Sequence, residues 1–136
     1  EGDWVVVDAY HDGYLRCGVI HRRSLLYSDK LGALLVKDYL TAVDKKRHTA
    51  QVRFHYAPDI DLARDGLKGI RLSNGCIVQS SENVEIELCI VSQKLGERIQ
   101  TKCSVSQIEF TQHAKITTVF LWKKTTKDII DKMKEM

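Results

Sequence analysis

Apolar and polar residues alternate along most of this chain, and this period of two constrains its fold more than any other feature. In the segment VEIELCIV, residues 84–91, every second residue is aliphatic, and Glu85, Glu87 and Cys89 lie between the aliphatic residues. Successive side chains of a β-strand point to opposite faces, so this segment predicts a strand with one buried and one wetted face. The segment KITTVFLW, residues 115–122, is apolar at both sets of positions and predicts a more central strand.

The alternation, read together with the turn residues between segments, predicts a chain built almost entirely of strands. The predicted strands cover residues 4–9, 14–27, 33–40, 49–56, 69–72, 76–79, 84–91, 97–101 and 115–122. Residues 105–110 form either a further strand or a crossing loop. Asn74-Gly75 is the best candidate for a two-residue hairpin turn, because both residues tolerate positive φ.

One helix is predicted, at the end of the chain. Thr125 can cap it with Asp128 as the reciprocal partner, and the residues that follow form a narrow apolar stripe. That stripe consists of Ile129, Ile130 and Met133.

Many short strands and one terminal helix indicate an all-β fold, an antiparallel multi-stranded β-sandwich with one short C-terminal helix. The length of 136 residues suits a single domain. We expect residues 1–124 to form the sandwich and residues 125–136 to form a helix that packs on it or frays. Because the chain begins at Glu1 without a methionine and enters the strand-like run WVVVDAY almost at once, we interpret it as an excised domain or a processed product.

The charge and hydropathy of the chain argue against two classes of partner. A net charge of +3 is too small to indicate nucleic acid, and no apolar run is long enough to cross a membrane. We therefore expect neither nucleic acid nor a membrane as a partner.

The cysteines and histidines give no sign of a metal site in this chain. The four cysteines lack the close spacing of a zinc motif and are interpreted as small side chains in a sheet, with one disulfide left open. They are Cys17, Cys76, Cys89 and Cys103. The five histidines lie in no tight metal-binding motif, and His113 is expected to be exposed in a loop. The other four are His11, His21, His48 and His55.

Basic side chains recur in the successive strands between residues 21 and 58. By alternation His21 and Arg23 share one face of a strand, as do Arg53 and His55, whereas Arg22 points to the opposite face or lies at a sheet edge. Donors that converge on one face of a sheet suit a polyanion such as an acidic sugar polymer. They equally suit a structural role against carboxylates.

Both interpretations extend to the individual side chains. His21 is either a partly buried histidine bonded to a backbone carbonyl or to Asp38, or a neutral donor or proton carrier that faces a substrate groove. Arg23 and Arg53 could form forked bonds to carboxylates or sulfates of a ligand, or internal salt bridges to aspartates. The chain shows no nucleophile elbow and no glycine-rich phosphate loop, so no complete active site is predicted.

The order of these motifs resembles one family, the C-terminal β-sandwich of heparinase II/III-like polysaccharide lyases. The resemblance extends roughly from Val5 to Trp122. It depends on HDGY, the His21-x-Arg23 strand, an apolar strand that ends in Asp38, a histidine at 48 and the run RFHYAP. The later stretch CSVSQIEFTQHAKITTVFLW is similar to the closing portion of the family.

The resemblance implies a supersandwich-like fold and a place in a larger enzyme. Such lyases pair an N-terminal helical toroid with the sandwich and cleave acidic polysaccharides, including glycosaminoglycans, by β-elimination in the cleft between them. The tyrosine base, the neighbouring asparagine or histidine, and the metal site of some members all belong to parts that this chain does not show. The resemblance therefore implies that this chain holds no catalytic residue and no metal, and that its partner is the missing toroid. It also implies a bacterial protein with a periplasmic or secreted location.

The residues expected to contact an acidic polysaccharide are His11, Tyr14, His21 and Arg23. The chain alone is expected to be inactive and to form one wall of the cleft in its parent protein. One alternative is a stand-alone carbohydrate-binding module, which needs exposed aromatic side chains. For this role Trp4 is the candidate, because Trp122 is expected to be core. The other is a small β-barrel that binds nucleic acid, which the balanced charge argues against.

Overall fold

The computed structural model of the chain describes residues 3–92, 94–123, 131–133 and 135. Its strands, numbered in chain order, are β1 (Val5–His11), β2 (Val19–Ser28), β3 (Ala33–Ala42), β4 (His48–His55), β5 (Leu62–Arg64), β6 (Gly69–Leu72), β7 (Ile77–Ser80), β8 (Val84–Val91), β9 (Ile99–Phe110) and β10 (His113–Leu121). They form a seven-stranded sheet in the order β1-β2-β3-β10-β7-β6-β5 and a three-stranded sheet in the order β4-β9-β8. Every pairing is antiparallel, and the predicted all-β sandwich is confirmed.

The predicted strand over residues 14–27 was wrong at its beginning. Leu15–Cys17 form a 3-10 turn, and Gly18 follows it in the left-handed conformation with φ +80°. That conformation is open to glycine at no steric cost, so the chain reverses there and β2 begins only at Val19.

Three further predictions needed correction at the level of single elements. The predicted strand at 97–101 begins only at Ile99 and continues through residues 105–110 as one strand, β9, and the three-residue edge strand β5 was missed. The hairpin at Asn74-Gly75 exists, but the backbone bond from Leu72 N–H to Cys76 O closes a three-residue loop. Gly75 sits in that loop with φ +90°, as expected of a type I turn followed by a left-handed glycine.

Apolar side chains fill the space between the two sheets in two clusters. At one end Phe110 of β9 packs against Val19 and Leu40 of the larger sheet. At the other end Val84 of β8 packs against Ile70 and neighbouring residues of β6 and β7. Strand β10, which was expected to be central, is the middle strand of the seven.

The opposite face of the larger sheet carries a third cluster, around Leu35 and Val119. Met133 belongs to it and is buried at 2% exposure, and residues 131–133 and 135 are helical. The predicted cap at Thr125 and the apolar residues Ile129 and Ile130 lie outside the described residues. No helix among the described residues is long and apolar enough to cross a lipid bilayer.

The two sheets differ in width, so one flank of the larger sheet is left uncovered. Strand β1 forms the edge of the larger sheet, and all seven of its residues are exposed, including Val5, Val6 and Val7. Strand β4 forms an edge of the smaller sheet. Trp122, expected in the core, is 42% exposed and stacks on Tyr27, because β10 ends at Leu121 and the chain leaves the sheet there.

Candidate functional site

A cavity of about 570 Å³ opens between the two sheets on this flank. The edge strand of each sheet contributes to its wall, β1 through His11 and β4 through residues 48–53. Strands β2 and β3 supply the floor, with His21, Arg23 and Asp38.

Asp38 is the centre of the polar groups in this cavity. It lies on β3 directly opposite Arg23 of β2, and it is fully buried. Its Oδ1 accepts hydrogen bonds from Arg23 Nε at 2.7 Å and from His21 Nε2 at 2.6 Å, and its Oδ2 accepts one from Arg23 Nη2 at 3.0 Å. A buried carboxylate needs such partners, because its negative charge lies in a region of low dielectric and is left without compensation when a donor is removed.

The network continues from His21 to the edge of the cavity. The backbone N–H of Gly13 donates to His11 Nδ1 at 3.1 Å, and His11 Nε2 lies 3.1 Å from His21 Nδ1. With neutral rings this fixes the tautomers, because each imidazole accepts at Nδ1 and donates from Nε2. The hydrogen bonds therefore all run in one direction, from Gly13 through both histidines to Asp38.

Tyr14 completes the group at the mouth of the cavity. The 3-10 turn after β1 brings its ring to 5.0 Å from the His11 ring and 6.3 Å from the His21 ring, measured between centroids. Tyr14 is 52% exposed, so its ring is accessible to a ligand.

The structure thus brings together all four residues predicted to contact substrate. His11, Tyr14, His21 and Arg23 line the same cavity. For His21 and Arg23 the structural interpretation is confirmed, since both bind Asp38. Whether the four residues also bind a ligand stays a prediction.

Arg23 is held in a defined place by two partners. Asp38 fixes Nε and Nη2, and Phe54 of β4 lies against the guanidinium, with the Arg23 Cζ 5.6 Å from the ring centroid. Neither bond to Asp38 uses Nη1, and the side chain is 38% exposed. An anchored arginine with a donor left over can bind an anion at a small further cost in side-chain entropy.

The second pair of basic residues does not direct its polar groups into this site, although Arg53 borders the cavity. Arg53 and His55 do share a face of β4, but Phe54 between them packs inward on Phe120, so the pair points away from the larger sheet. Arg53 Nη1 donates to Glu87 at 2.7 Å, an internal salt bridge to a glutamate rather than an aspartate. The alternation fixed which residues share a face, whereas the packing of the two sheets decided which way that face points.

The structure also places three residues that the sequence analysis named outside the predicted site. His48 lines the cavity and donates from Nε2 to Asp44 Oδ1 at 2.7 Å, a bond that lowers the pKa of that carboxyl. Arg22 points to the other face, as predicted, and binds Asp8. With a bond from Ser24, this lowers the pKa of Asp8 to about 2. His113 is exposed as expected, but it begins strand β10 instead of lying in a loop.

A separate cluster lies on the outer face of the three-stranded sheet. His55, Cys89 and Cys103 come from three different strands, and their ligand atoms all lie within 4.8 Å of one another. The two sulfurs are 2.7 Å apart and the cysteines are free thiols. Burial raises the pKa of the Cys103 thiol to about 11, against the opposing effect of Arg53. Spacing along the chain gave no signal for this group, because sheet pairing alone brings its members together.

Comparison with known proteins begins with the sequence. The profile of the family described as "Heparinase II/III-like, C-terminal" matches residues 1–128. No curated protein matches the chain at a significant level.

Solved structures of two polysaccharide lyases have the same fold as this chain. The heparan sulfate lyase HepC from Pedobacter heparinus superimposes with a TM-score of 0.75 at 14% identity, over 92% of this chain and 21% of that chain. A structure of heparinase III gives a TM-score of 0.72 at 18% identity, over 94% of this chain and 21% of that chain. The chain therefore spans about a fifth of the length of the structures that it matches.

Proposed function

The chain belongs to the heparinase II/III-like C-terminal family, and from this premise we propose that it is the non-catalytic sandwich portion of a polysaccharide lyase. In the parent protein it forms one wall of the cleft in which an acidic polysaccharide is cleaved by β-elimination. The observation that carries the proposal is the polar cavity in which His11, Tyr14, His21 and Arg23 converge.

The chemistry of the cavity suits an acidic sugar. Uronate carboxylates and sulfate esters are anions with two or three terminal oxygens, which a guanidinium binds through forked hydrogen bonds. Arg23 has Nη1 outside its bonds to Asp38, and the exposed ring of Tyr14 offers a flat apolar surface to the face of a pyranose.

β-Elimination sets demands that this cavity meets only in part. The reaction removes the proton beside a uronate carboxylate, stabilises the charge that develops on that carboxylate, and protonates the leaving oxygen. Arg23 can serve the second demand by neutralising the carboxylate. His11 donates to His21 and His21 donates to Asp38, so neither of these two imidazoles is a free base at that point.

The open edges of the sandwich support the place of the chain within a longer protein. Val5, Val6 and Val7 are exposed on edge strand β1, and an exposed apolar edge is a liability unless something covers it. The chain spans about a fifth of the heparinase-like structures, which leaves ample polypeptide in a parent of that kind to cover β1 and complete the cavity.

The proposal is tested by binding and activity on the purified chain. Heparan sulfate oligosaccharides should bind it, with affinity that falls as salt rises, and no unsaturated uronate product should absorb in the ultraviolet. Replacing Tyr14 by Ala should weaken binding about 5- to 10-fold, from the loss of roughly 1 kcal/mol of ring contact. Tyr10→Ala removes an exposed ring outside the cavity and is the matched control.

Turnover of heparan sulfate by the chain alone would contradict the non-catalytic assignment. Equal affinity of the Tyr14→Ala variant and the unmodified chain, with intact folding by circular dichroism, would contradict the cleft assignment.

A second candidate is a stand-alone carbohydrate-binding module, and one observation favours it. Tyr27 and Trp122 stack with ring centroids 5.8 Å apart at 21°, and both are partly exposed. Such a module would bind neutral glycans as well as acidic ones and would lose binding in Trp122→Ala. If Trp122→Ala abolishes binding and Tyr14→Ala does not, this second function replaces the first.

A further inference from the structure

The cluster on the outer face of the three-stranded sheet has the composition of a metal site. Cys103 of β9 lies directly opposite His55 of β4 and Glu87 of β8, and Cys89 lies two residues further along β8 on the same face. Two thiols and one imidazole are the donors preferred by Zn²⁺ and similar borderline-soft divalent cations.

The two cysteines are diagonal neighbours, and their free sulfurs lie 2.7 Å apart, closer than two sulfurs bound to one zinc. Cys89 pairs with Thr101 and Cys103 pairs with Glu87, so the cysteines are diagonal neighbours. Diagonal Cα atoms in a sheet are about 7–8 Å apart, beyond the usual disulfide range of roughly 4.4–6.8 Å. Two thiolates on one tetrahedral zinc lie about 3.8 Å apart, which the two sulfurs reach by a small side-chain rotation.

The surroundings provide a suitable second layer of partners. Arg53 Nη1 lies 3.8 Å from Cys103 Sγ and also binds Glu87, so a cation already faces the buried sulfur. That arrangement favours the thiolate and can donate to it once it is bound to a metal. With two thiolates and a divalent ion the cluster is neutral, which suits the burial of Cys103.

A buried polar atom next to the cluster also lacks a partner. Thr101 Oγ1, directly opposite Cys89, is the one buried side-chain oxygen or nitrogen without a hydrogen bond among the residues that the structure describes. Three protein ligands leave a fourth tetrahedral position open, and a water there could donate to this oxygen.

We propose that His55, Cys89 and Cys103 bind a divalent cation of the zinc class, with a fourth position left to water. Binding displaces the two thiol protons to solvent, while the imidazole coordinates through a neutral nitrogen. The proposal concerns the face turned away from the inter-sheet cavity, so it stands or falls independently of the polysaccharide proposed there.

Titration of the reduced, metal-free chain with Co²⁺ tests the site directly. Thiolate ligation should produce sulfur-to-cobalt charge-transfer absorption that saturates at one ion per chain, and added Zn²⁺ should remove it. Zn²⁺ should also slow alkylation of Cys89 by iodoacetamide at least about 10-fold, without slowing that of exposed Cys17.

Substitutions at the two more accessible ligands complete the test. Cys89→Ser and His55→Gln should each weaken Co²⁺ binding by more than the roughly 10- to 100-fold that loss of an outer partner causes. Cys17→Ser is the matched control and should bind as the unmodified chain does. Cys103 is not substituted, because its burial makes a folding defect the expected result.

Three results would each overturn the proposal. They are the absence of charge-transfer absorption, its survival in Cys89→Ser, and isolation of the chain with a Cys89–Cys103 disulfide that forms even in the presence of Zn²⁺.

Discussion

Replacing Asp38 by Asn should destabilise the chain more than its small change in shape suggests. The carboxylate accepts three hydrogen bonds at 2.6–3.0 Å, two from Arg23 and one from His21, and it is fully buried. Breaking a buried ion pair by removing one partner costs about 3–5 kcal/mol. Arg23 is 38% exposed and can regain some hydration, so we expect about 2–3 kcal/mol. For a chain of this size that corresponds to a melting temperature lower by roughly 6–15 °C.

Urea and thermal unfolding followed by circular dichroism measure this loss. Asp8→Asn is the matched control, because Asp8 also binds an arginine but is exposed, and its effect should be much smaller. Because most of the cost comes from leaving Arg23 without a partner, the double variant Asp38→Asn/Arg23→Met should recover part of the stability. An Asp38→Asn variant as stable as Asp8→Asn, or a double variant less stable than Asp38→Asn, would refute the reasoning.

Three other substitutions test separate parts of the fold. The Asp8 carboxyl should titrate near pH 2 by NMR, and at higher pH in the Arg22→Gln variant. The stability that the Asp8 carboxylate contributes is present above the unfolded pKa near 4 and should be lost as the pH falls toward 2. Met133→Ala should lower the free energy of unfolding by about 2–5 kcal/mol, because Met133 is buried in the third cluster. A loss below about 1 kcal/mol, as expected for an exposed methionine, would show that the terminal helix does not pack in solution. Gly18→Ala should destabilise more than Gly66→Ala, because both glycines have positive φ but only at Gly18 would the new Cβ clash with a side chain, the carboxylate of Asp44. Equal losses on urea unfolding would contradict this.

The sequence predicts the fold class well because the strands alternate so regularly. Residues 84–91 form β8 with the predicted bounds, and the apolar run predicted at 115–122 lies, except for Trp122, in the central strand β10. The alternation fails where small polar residues are buried. Ser104 and Ser106 resemble turn residues in the sequence, yet they are buried in β9, where their hydroxyls bond to Tyr56 and Ser80. Such bonds depend on the packing of the two sheets, which no local pattern reports.

The sequence predicted which residues form the candidate site, but it predicted only part of how they contact one another. Period-two alternation places His21 and Arg23 on one face, and Asp38 was a named partner for His21. The link from His11 to His21 depends on the register of β1 against β2, which sets the two histidines directly opposite each other. The grouping of His55 with Cys89 and Cys103 depends on two registers at once, and the sequence carries no trace of it.

The measurement that tests the central claim most directly is an NMR titration of the isotope-labelled chain with a heparan sulfate tetrasaccharide. The account predicts that the largest shifts fall on His11, Tyr14, His21 and the Arg23 side chain, and that they shrink as salt rises. The absence of shifts, or shifts confined to the opposite face around Arg22 and Tyr39, would contradict it.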